Sequence, residues 1–469
     1  MQMPEPDQQI MARRDAICAA LRQLVPAASV VSSAEGRRAY DADGLSAYRQ
    51  LPLAVVLPET VEQIAAVMKY CHAEGIKVVP RGAGTSLSGG ALPLADAVLL
   101  GLGKFNRILD IDYANRCVVA QPGVTNLAIT HAVQDQGFYY APDPSSQIAC
   151  SVGGNVAENS GGVHCLKYGL TTNNLLGIEL VTIEGEILRL GGKHLDAGDY
   201  DLMGVMTGSE GLLGIVSEVT LRILQKPATQ RALLVGFDDT AAAATAVGDV
   251  IGAGIIPAGM EMMDGLAINA AEDFVHAGYP RDAAALIIVE LDGPAVEVDA
   301  LIERVAKIMD RAGASSLKVS TSEEERNLFW AGRKSAFPAV GRISPDYLCM
   351  DGTIPRRRLP DMMVLMATLS QKYGLRVANV FHAGDGNLHP LILFDANQPG
   401  ELARAEDFGA DILRGCVEMG GVLTGEHGVG VEKRDLMTIQ FTGTRRCCRG
   451  YDGSAIAAIH PASATIVRA

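Results

Sequence analysis

The chain has 469 residues, of which 48% are hydrophobic and 20% charged, and its formal net charge is −14 at pH 7. This length exceeds one compact core, so we expect two or three domains in a globular enzyme. The acidic balance argues against nucleic acid as a partner, and no apolar run reaches the roughly 18 residues of a membrane span.

The cysteines and the N-terminus indicate the compartment. The nine cysteines are dispersed without a Cys-x-x-Cys pair, and the N-terminus lacks the basic-then-apolar order of a signal peptide. This pattern favours a reduced, cytoplasmic setting and argues against an iron–sulfur cluster within the chain.

The first elements are predicted from local signals. Residues 1–50 are expected to be a helical lead-in, with apolar side chains at helical spacing. A helix is then predicted from the capping box at Thr60–Gln63 to Gly75, followed by a short strand at Ile76–Val79.

A glycine-rich loop, Pro80–Ser86, follows that strand. Bare backbone N–H groups in such a loop can approach an anion, which indicates phosphate binding. It lacks the Gly-Lys-Ser/Thr of a Walker loop, and Leu87 stands where the dinucleotide fingerprint has its third glycine. Taken alone, the loop fits a simple surface turn equally well.

Two further glycine-rich regions change that balance. Ser151–Gly162 contains Gly-Gly-Asn and Asn-Ser-Gly-Gly, and Thr207–Gly211 reads Thr-Gly-Ser-Glu-Gly. Between and after them we predict strands at Leu175–Ile183, Glu186–Leu190 and Ile215–Ile223. Three such regions within about 150 residues exceed what structural turns require.

These regions resemble the FAD domain of the vanillyl-alcohol oxidase-type flavoproteins. The segments His-Ala-Gly-Asp-Gly-Asn-Leu-His and Gly-Glu-His-Gly-Val-Gly narrow the resemblance to the branch that oxidises D-2-hydroxy acids, and within it to the glycolate-oxidising members. The resemblance extends from about Leu51 to about Met437. It implies an α+β fold, with a two-subdomain FAD-binding domain and an α+β cap domain that has an antiparallel sheet.

The expected domains are the lead-in at 1–50, the FAD-binding domain at 51–227, the substrate and cap domain at 228–437, and an atypical tail at 438–469. The resemblance implies that the loops cradle the pyrophosphate and ribityl chain of FAD. No His or Cys indicates a covalent flavin link, so non-covalent binding is expected. The residues expected to contact FAD are Pro80, Arg81, Gly82, Ala83, Gly84, Thr85, Ser86, Pro144, Ser145, Gly153, Gly154, Asn155, Asn159, Gly161, Gly208, Glu210, Gly211 and Ile215.

Beyond a boundary at Gln225–Arg231, strands at Ala232–Phe237 and Ala284–Leu291 are each followed by a predicted helix, at 240–253 and 296–312. This alternation fits an α+β cap domain.

Basic residues in the cap are candidates for substrate binding. Arg333, near Trp330, is the preferred carboxylate clamp because a guanidinium can bind a carboxylate at two points. Arg342 is a second candidate, whereas the run Arg356–Arg358 is predicted to be a solvated face. The resembled family also has a substrate-binding Arg near position 333.

The motif residues predict a metal site. His382 and His389 flank a Gly-Asp-Gly-Asn turn between two predicted strands, and Glu426 would be brought to them by the fold. Two imidazoles and a carboxylate with open positions suit Zn²⁺, Mn²⁺ or Fe²⁺. Asn387, in the same turn, is expected to contact the substrate.

The predicted reaction is FAD-dependent oxidation of a small 2-hydroxy acid, in the first place glycolate to glyoxylate, by hydride transfer to flavin N5. His427 would act as the general base and Arg333 would bind the carboxylate, while the metal lowers the pKa of the hydroxyl. The alternatives are a D-lactate or D-2-hydroxyglutarate dehydrogenase, a non-catalytic FAD-binding subunit of an oxidase complex, and an unrelated metallohydrolase.

The resemblance also implies partner subunits, one of them an iron–sulfur protein that passes electrons towards membrane quinones. The expected location is cytoplasmic, or peripheral at the inner membrane through those partners. Residues 442–469, with four Arg and one Asp, depart from the acidic helix and the Asn-Pro-Gly-Lys segment of the family. A shifted reading frame or a divergent terminus would explain this, and we favour the shifted frame.

Overall fold

The computed structural model describes residues 3–194 and 200–441, which form two compact units. Unit one consists of the described residues up to Gly161, of Leu170–Gln225, and of the described residues from Glu426 onwards. Unit two consists of Gly162–Gly169 and Lys226–Gly425. Residues 442–469, the larger part of the predicted atypical tail, lie outside the described residues.

The first sheet of unit one has four strands. They are Val30–Val31 (β1), Ala54–Val56 (β2), Lys77–Arg81 (β3) and Ala97–Gly101 (β4). Their order is β1-β2-β4-β3, in which β2, β4 and β3 are parallel and β1 is antiparallel. β4 is buried on both faces, as a central parallel strand requires.

Four helices accompany this sheet: Gln8–Ala12 (α1), Arg14–Leu24 (α2), Ala34–Arg38 (α3) and Val61–Glu74 (α4). The predicted boundaries of α4 are confirmed. The Thr60 hydroxyl accepts the Gln63 N–H at 3.4 Å, and Gly75 ends the helix with a φ of 67°. Ile64 and Met68 of α4 and Ile17 and Leu21 of α2 are buried in the same core as the sheet.

The second sheet of unit one is antiparallel. The next strands along the chain are Ile108–Asp112 (β5), Cys117–Ala120 (β6), Phe138–Tyr139 (β7), Leu175–Val181 (β8), Ile187–Gly191 (β9), Ile215–Arg222 (β10) and Leu224–Gln225 (β11). The five-stranded sheet has the order β5-β6-β10-β8-β9, while β11 pairs only with β7. β8, β9 and β10 coincide within two residues with the strands predicted there.

The helices of this region are Asn126–Val133 (α5), Val152–Glu158 (α6), Cys165–Tyr168 (α7), Thr171–Asn174 (α8) and Leu202–Met206 (α9), and α7 belongs to unit two. α6 occupies the second glycine-rich region. The Ser151 hydroxyl accepts the Gly154 N–H at 3.3 Å and so caps the helix. A Cβ at position 153 would overlap the Pro122 ring, so the glycine permits close packing despite its low helix propensity.

Unit two is built on one seven-stranded sheet. Its strands are Thr229–Phe237 (β12), Gly259–Asp264 (β13), Ala285–Gly293 (β14), Ala314–Val319 (β15), Asp346–Cys349 (β16), Val377–Phe381 (β17) and Pro390–Phe394 (β18). The order is β15-β12-β14-β13-β17-β18-β16, and every neighbouring pair is antiparallel. The predicted α+β class with an antiparallel cap sheet is confirmed.

The remaining helices are Thr240–Gly252 (α10), Gly265–Val275 (α11), Ala295–Arg311 (α12), Glu323–Lys334 (α13), Ala336–Val340 (α14), Leu359–Tyr373 (α15), Glu401–Glu418 (α16) and Met437–Gln440 (α17), and α17 belongs to unit one. Short 3-10 turns occur at Ala27–Ser29, Gln134–Gln136, Arg356–Arg358 and Arg434–Leu436. In unit two, α11, α13 and α14 pack against the sheet through a core that includes Phe329 and Trp330. Among the described residues, no helix has the length and apolar character needed to cross a membrane.

Candidate functional site

The glycine-rich regions of unit one pack against one another. A Cβ at position 82 would overlap the Ser151 hydroxyl, and one at position 211 would overlap the Pro80 ring. Gly211 also has a φ of 74°, a conformation that favours glycine. The two glycines therefore permit close packing of the first glycine-rich region against the second and the third.

α6 connects the second region with the third. The Gly208 N–H donates to the Val156 carbonyl at 2.8 Å, and the Glu210 N–H donates to the Ala157 carbonyl at 2.8 Å. The segments identified from the sequence as phosphate-binding are therefore neighbours in unit one, although about 50 to 70 residues separate each from the next in the chain.

Two of the predicted cofactor residues use their side chains to hold the loops. The Arg81 guanidinium donates to the carbonyls of Tyr40 and Ala42, and burial lowers the pKa of Arg81. The Asn155 carboxamide oxygen accepts from the Asn126 side chain at 3.0 Å. Since both side chains are engaged inside unit one, their backbone groups are the better candidates for cofactor contact.

The other predicted cofactor residues lie on the same loops or at their ends. Ile215 is the buried first residue of β10. Asn159 ends α6 with a φ of 55°, and its side chain accepts the Thr172 N–H at 3.0 Å. Ala83, Gly84, Thr85 and Ser86 lie in the first region, Gly154 lies in α6 and Gly161 follows it, and Pro144 and Ser145 lie in the segment before Ser151. An extended cofactor with a pyrophosphate suits glycine-rich backbone, because its exposed N–H groups can bind an anion.

The Gly-Glu-His-Gly segment is attached to unit one. The Glu426 carboxylate accepts the Gly161 N–H at 2.8 Å, and the His427 carbonyl accepts the Ser88 hydroxyl at 2.9 Å. Both Glu426 and His427 are partly buried. The predicted base and the predicted carboxylate ligand are thus anchored to the glycine-rich loops.

Glu210 also holds this segment. Its two carboxylate oxygens accept the Val429 N–H at 2.8 Å and the Gly430 N–H at 2.7 Å. Lys433, which is buried, donates to the Gly428 carbonyl at 2.9 Å. Burial raises the pKa of the Glu210 carboxyl, while the two N–H donors and the Lys433 charge act in the opposite direction. Glu210 was predicted to contact FAD, and its side chain is engaged in positioning the segment after His427.

In unit two, the two motif histidines lie side by side. His382 follows β17 and His389 precedes β18, and their ring centroids are 4.9 Å apart in an edge-to-face arrangement. Both are buried. The turn between them is tight: Gly386 has a φ of 84°, and a Cβ there would overlap the Ile354 carbonyl. The turn thus brings the two rings close together, and their role as metal ligands stays a prediction.

A buried carboxylate, Glu261 of β13, contacts His382. Its Oε1 lies 2.8 Å from His382 Nδ1. A carboxylate can only accept, so Nδ1 carries the proton and the lone pair is on Nε2. This arrangement is the one found behind metal-binding histidines, where the second nitrogen is oriented by a carboxylate.

The same carboxylate pairs with Arg333. Arg333 Nη2 lies 2.7 Å from Glu261 Oε2, and both side chains are 1% exposed. Among the described residues, the Nε and Nη2 groups of Arg333 make no well-aligned hydrogen bond, although they share the edge of the guanidinium that binds carboxylates at two points. Arg342, by contrast, is exposed and lies over the Phe274 ring at 5.7 Å, so the structure does not bring it to this cluster.

A second buried carboxylate, Asp351, lies near His389. Its Oδ1 lies 3.6 Å from His389 Nε2 and accepts the Asn387 amide at 2.9 Å. Its Oδ2 accepts the Thr424 hydroxyl at 2.6 Å and the Gly425 N–H at 3.0 Å. The Asn387 side chain, predicted to contact substrate, is therefore engaged in holding Asp351.

The sequence interpretation missed both carboxylates. Glu261 is the third residue of a strand that is otherwise apolar up to Asp264, and Asp351 follows β16 directly before Gly352. An isolated acid in a buried strand must be paired, and that signal was available. It does not identify the partner, which comes from β17 and α13.

The histidine pair fits a divalent metal. Two adjacent buried imidazoles, one with its tautomer set by a carboxylate, are typical nitrogen ligands for Zn²⁺, Mn²⁺ or Fe²⁺. Glu426 is the third ligand predicted from the sequence, and it belongs to unit one.

Comparison with known proteins identifies the class. Residues 52–191 match the family model described as FAD binding domain, and residues 226–445 match that described as FAD linked oxidases, C-terminal domain. The chain belongs to the family of FAD-linked oxidases, and FAD is its cofactor. The resemblance inferred from the glycine-rich loops is confirmed.

The chain is similar in sequence to proteins named glycolate oxidase subunit GlcD and D-lactate dehydrogenase. The chain is 58% identical to glycolate oxidase subunit GlcD of Escherichia coli (strain K12), over 91% of this chain and 86% of that one. It is 38% identical to glycolate oxidase subunit GlcD of Bacillus subtilis (strain 168), over 87% of each. It is 30% identical to D-lactate dehydrogenase of Anaerostipes hadrus, over 82% of this chain and 83% of that one.

Solved structures share the fold. 4-Ethylphenol oxidase from Gulosibacter chungangensis matches with a TM-score of 0.82 and 18% identity, over 98% of this chain and 97% of that one. p-Cresol methylhydroxylase matches with a TM-score of 0.81 and 17% identity, over 98% of both. At this identity the likeness concerns the fold alone.

Proposed function

We propose that the protein oxidises a small 2-hydroxy acid to the 2-oxo acid, with glycolate as the preferred substrate and glyoxylate as the product. The observation that carries this proposal is the buried Arg333, whose Nε and Nη2 edge makes no well-aligned hydrogen bond among the described residues. A buried guanidinium of this kind suits a carboxylate ligand. The 58% identity to a glycolate oxidase subunit supports glycolate in particular.

Different residues of the chain bind different groups of the substrate. Arg333 holds the substrate carboxylate at two points and so fixes the orientation of the α-carbon. His382 and His389 hold a divalent metal, which when bound supplies Lewis-acid polarisation of the hydroxyl. The buried carboxylate of Glu261 orients the His382 imidazole, and that of Asp351 lies 3.6 Å from His389 Nε2.

His427 accepts the proton of the substrate hydroxyl, since a neutral imidazole can act as a general base. FAD, when bound, supplies the two-electron acceptor for the α-hydrogen. Glu210 and Gly161 hold the segment that carries His427 and so limit its movement relative to the glycine-rich loops. The reaction balances, because the substrate loses one proton to His427 and one hydride, with its two electrons, to FAD.

FAD is held non-covalently by main-chain groups of the three glycine-rich regions. The glycine content of these regions supports this proposal, because backbone N–H groups without neighbouring side chains can approach a pyrophosphate.

The reduced flavin passes its electrons to partner subunits. The relatives named as subunits of glycolate oxidase support such partners. An iron–sulfur protein is the class of partner that takes electrons one at a time from a flavin. Any contact with the inner membrane is proposed to occur through these partners.

A second candidate substrate is D-lactate, favoured by relatives named D-lactate dehydrogenase at about the same coverage but lower identity. D-2-Hydroxyglutarate is the larger alternative. A non-catalytic FAD-binding role is disfavoured because Arg333, His382 and His389 form a buried cluster, which is costly to maintain unless it binds something.

The test is anaerobic reduction of the bound flavin by glycolate, D-lactate, L-lactate and D-2-hydroxyglutarate. The reduction is monitored as the loss of flavin absorbance. Glycolate should reduce the flavin at the highest kcat/KM. Faster reduction by D-lactate would reassign the substrate, and no reduction by any of the four acids would refute 2-hydroxy-acid oxidation.

A further inference from the structure

Glu261 is a single carboxylate with two functional neighbours. One oxygen faces His382 Nδ1 at 2.8 Å, and the other faces Arg333 Nη2 at 2.7 Å. It is 1% exposed, and it projects from the middle of β13, which pairs with β14 on one side and β17 on the other. The carboxylate is therefore fixed by a central strand of the sheet.

We propose that Glu261 is a positioning residue that couples the substrate-carboxylate site to the metal site. This inference rests on the proposed function. By holding Arg333 and His382 on its two oxygens, Glu261 sets the distance between the group that binds the substrate carboxylate and a group that binds the metal.

The chemistry of a carboxylate explains why Glu is needed here. Glu261 accepts the His382 Nδ1–H on one oxygen and forms an ion pair with Arg333 through the other, and its negative charge balances the buried guanidinium. Glutamine has one acceptor oxygen and one donor amide. In Glu261→Gln, therefore, one of the two neighbours would face an N–H donor instead of an acceptor.

The same sheet supplies a matched control in Glu290. Glu290 is also fully buried and also has one His and one Arg neighbour, with its carboxylate 3.1 Å from His164 Nε2 and 3.1 Å from Arg326 Nη1. It lies on β14, beside the strand of Glu261, and its carboxylate contacts His164, Gln230, Arg326 and Trp330. Glu290→Gln thus removes an equivalent buried charge without touching the proposed site.

The experiment compares the metal affinity and the substrate kinetics of the FAD-loaded wild type, Glu261→Gln and Glu290→Gln. Metal affinity is measured with Zn²⁺ and Mn²⁺ alone, against a chelating indicator. Glu261→Gln should weaken metal binding by about 10- to 100-fold, the effect expected when a carboxylate behind a metal-binding His is lost. It should also raise KM for glycolate, because Arg333 is no longer held.

Glu290→Gln should keep the metal affinity and KM of the wild type even where its thermal stability falls. A purely structural role for Glu261 predicts instead that both variants lose stability and that neither changes metal affinity or KM. The flavin absorbance spectrum should be the same in all three proteins, since the glycine-rich loops belong to unit one.

Glu261→Asp carries the test if Glu261→Gln does not fold. Aspartate keeps the charge and both acceptor oxygens, but it is one methylene shorter and cannot reach both neighbours. Either metal affinity or KM should change by about 10-fold. Wild-type values for both quantities in Glu261→Asp or Glu261→Gln would overturn the inference while leaving the proposed function intact. A wild type that binds neither metal and is not reduced by glycolate would overturn both.

Discussion

Glu210→Gln tests how unit one holds the predicted base. In the structure, Glu210 receives the N–H groups of Val429 and Gly430 at 2.8 and 2.7 Å, directly after His427. A hydrogen bond to a charged group contributes roughly 1.5–3 kcal/mol, and an unpaired buried N–H costs about 1–3 kcal/mol. Glutamine keeps one acceptor and places a donor against the other N–H.

Relief of the buried charge offsets part of this loss, because burial raises the pKa of the Glu210 carboxyl. We therefore expect a net destabilisation of about 2 kcal/mol, which for a unit of this size lowers the unfolding midpoint by about 4–8 °C. Displacement of the His427 segment should also slow flavin reduction by about 10²-fold, the effect of a shift of about 1 Å in a reacting group.

The assays are thermal unfolding of the FAD-loaded protein and anaerobic flavin reduction by glycolate. Glu179→Gln is the control, since Glu179 is a buried carboxylate of unit one that pairs with Arg189 and Ser217, away from the Glu426 segment. The control should lose stability and keep its reduction rate. Wild-type midpoint and wild-type reduction rate in Glu210→Gln would refute the positioning role of Glu210.

Four further predictions concern single groups. His427→Asn should retain FAD but reduce it about 10²-fold more slowly under anaerobic mixing, and unchanged kinetics would remove His427 as the base. Arg333→Lys should lower kcat/KM for glycolate by about 10- to 100-fold through loss of two-point carboxylate binding, and an unchanged kcat/KM would assign that role elsewhere. Dialysis against a chelator should abolish flavin reduction and leave FAD bound, with recovery on adding Zn²⁺ or Mn²⁺; full activity in metal-free protein would exclude the site at His382 and His389. Burial raises the pKa of Asp264 from 3.8 to about 6, although the hydrogen bonds that it accepts act in the opposite direction, so the folded state binds this proton more tightly than the unfolded state. The free energy of unfolding should therefore fall by about 3 kcal/mol as the pH rises from about 4 to about 6. Asp264→Asn should remove this dependence in unfolding measured as a function of pH.

Local signals predicted the elements of the fold well. The helix from Val61 to Glu74 begins and ends where its cap residues indicate, and β17 and β18 are the two strands predicted on either side of the turn between His382 and His389. These elements carry their own start and stop signals. The helix over Val152–Glu158 was interpreted as loop, because its two glycines oppose helix formation and the packing against Pro122 that favours them is tertiary.

The candidate site was predicted in part. Residue type and spacing identified His382 and His389, since the Gly-Asp-Gly turn between them is local in the chain. Glu261 lies 121 residues before His382, and no local pattern connects a strand residue to a partner at that distance. The pairing exists only because β13 lies beside β17 in the sheet.

The segment from Glu426 illustrates the same limit. The sequence interpretation grouped it with the cap domain at 228–437, whereas the compact units assign its described residues to unit one. Its attachments are backbone amides that donate to Glu210 and a carboxylate that accepts from Gly161. Backbone hydrogen bonds of this kind leave no pattern in residue type.

In the proposed reaction, the bound flavin takes the α-hydrogen of a 2-hydroxy acid. The measurement that decides this is anaerobic stopped-flow reduction by glycolate and by glycolate deuterated at the α-carbon. We predict complete loss of flavin absorbance with both, and a several-fold slower rate with the deuterated acid, because the C–H bond breaks in the step that reduces the flavin. A flavin that stays oxidised with glycolate, D-lactate and D-2-hydroxyglutarate alike would contradict the account.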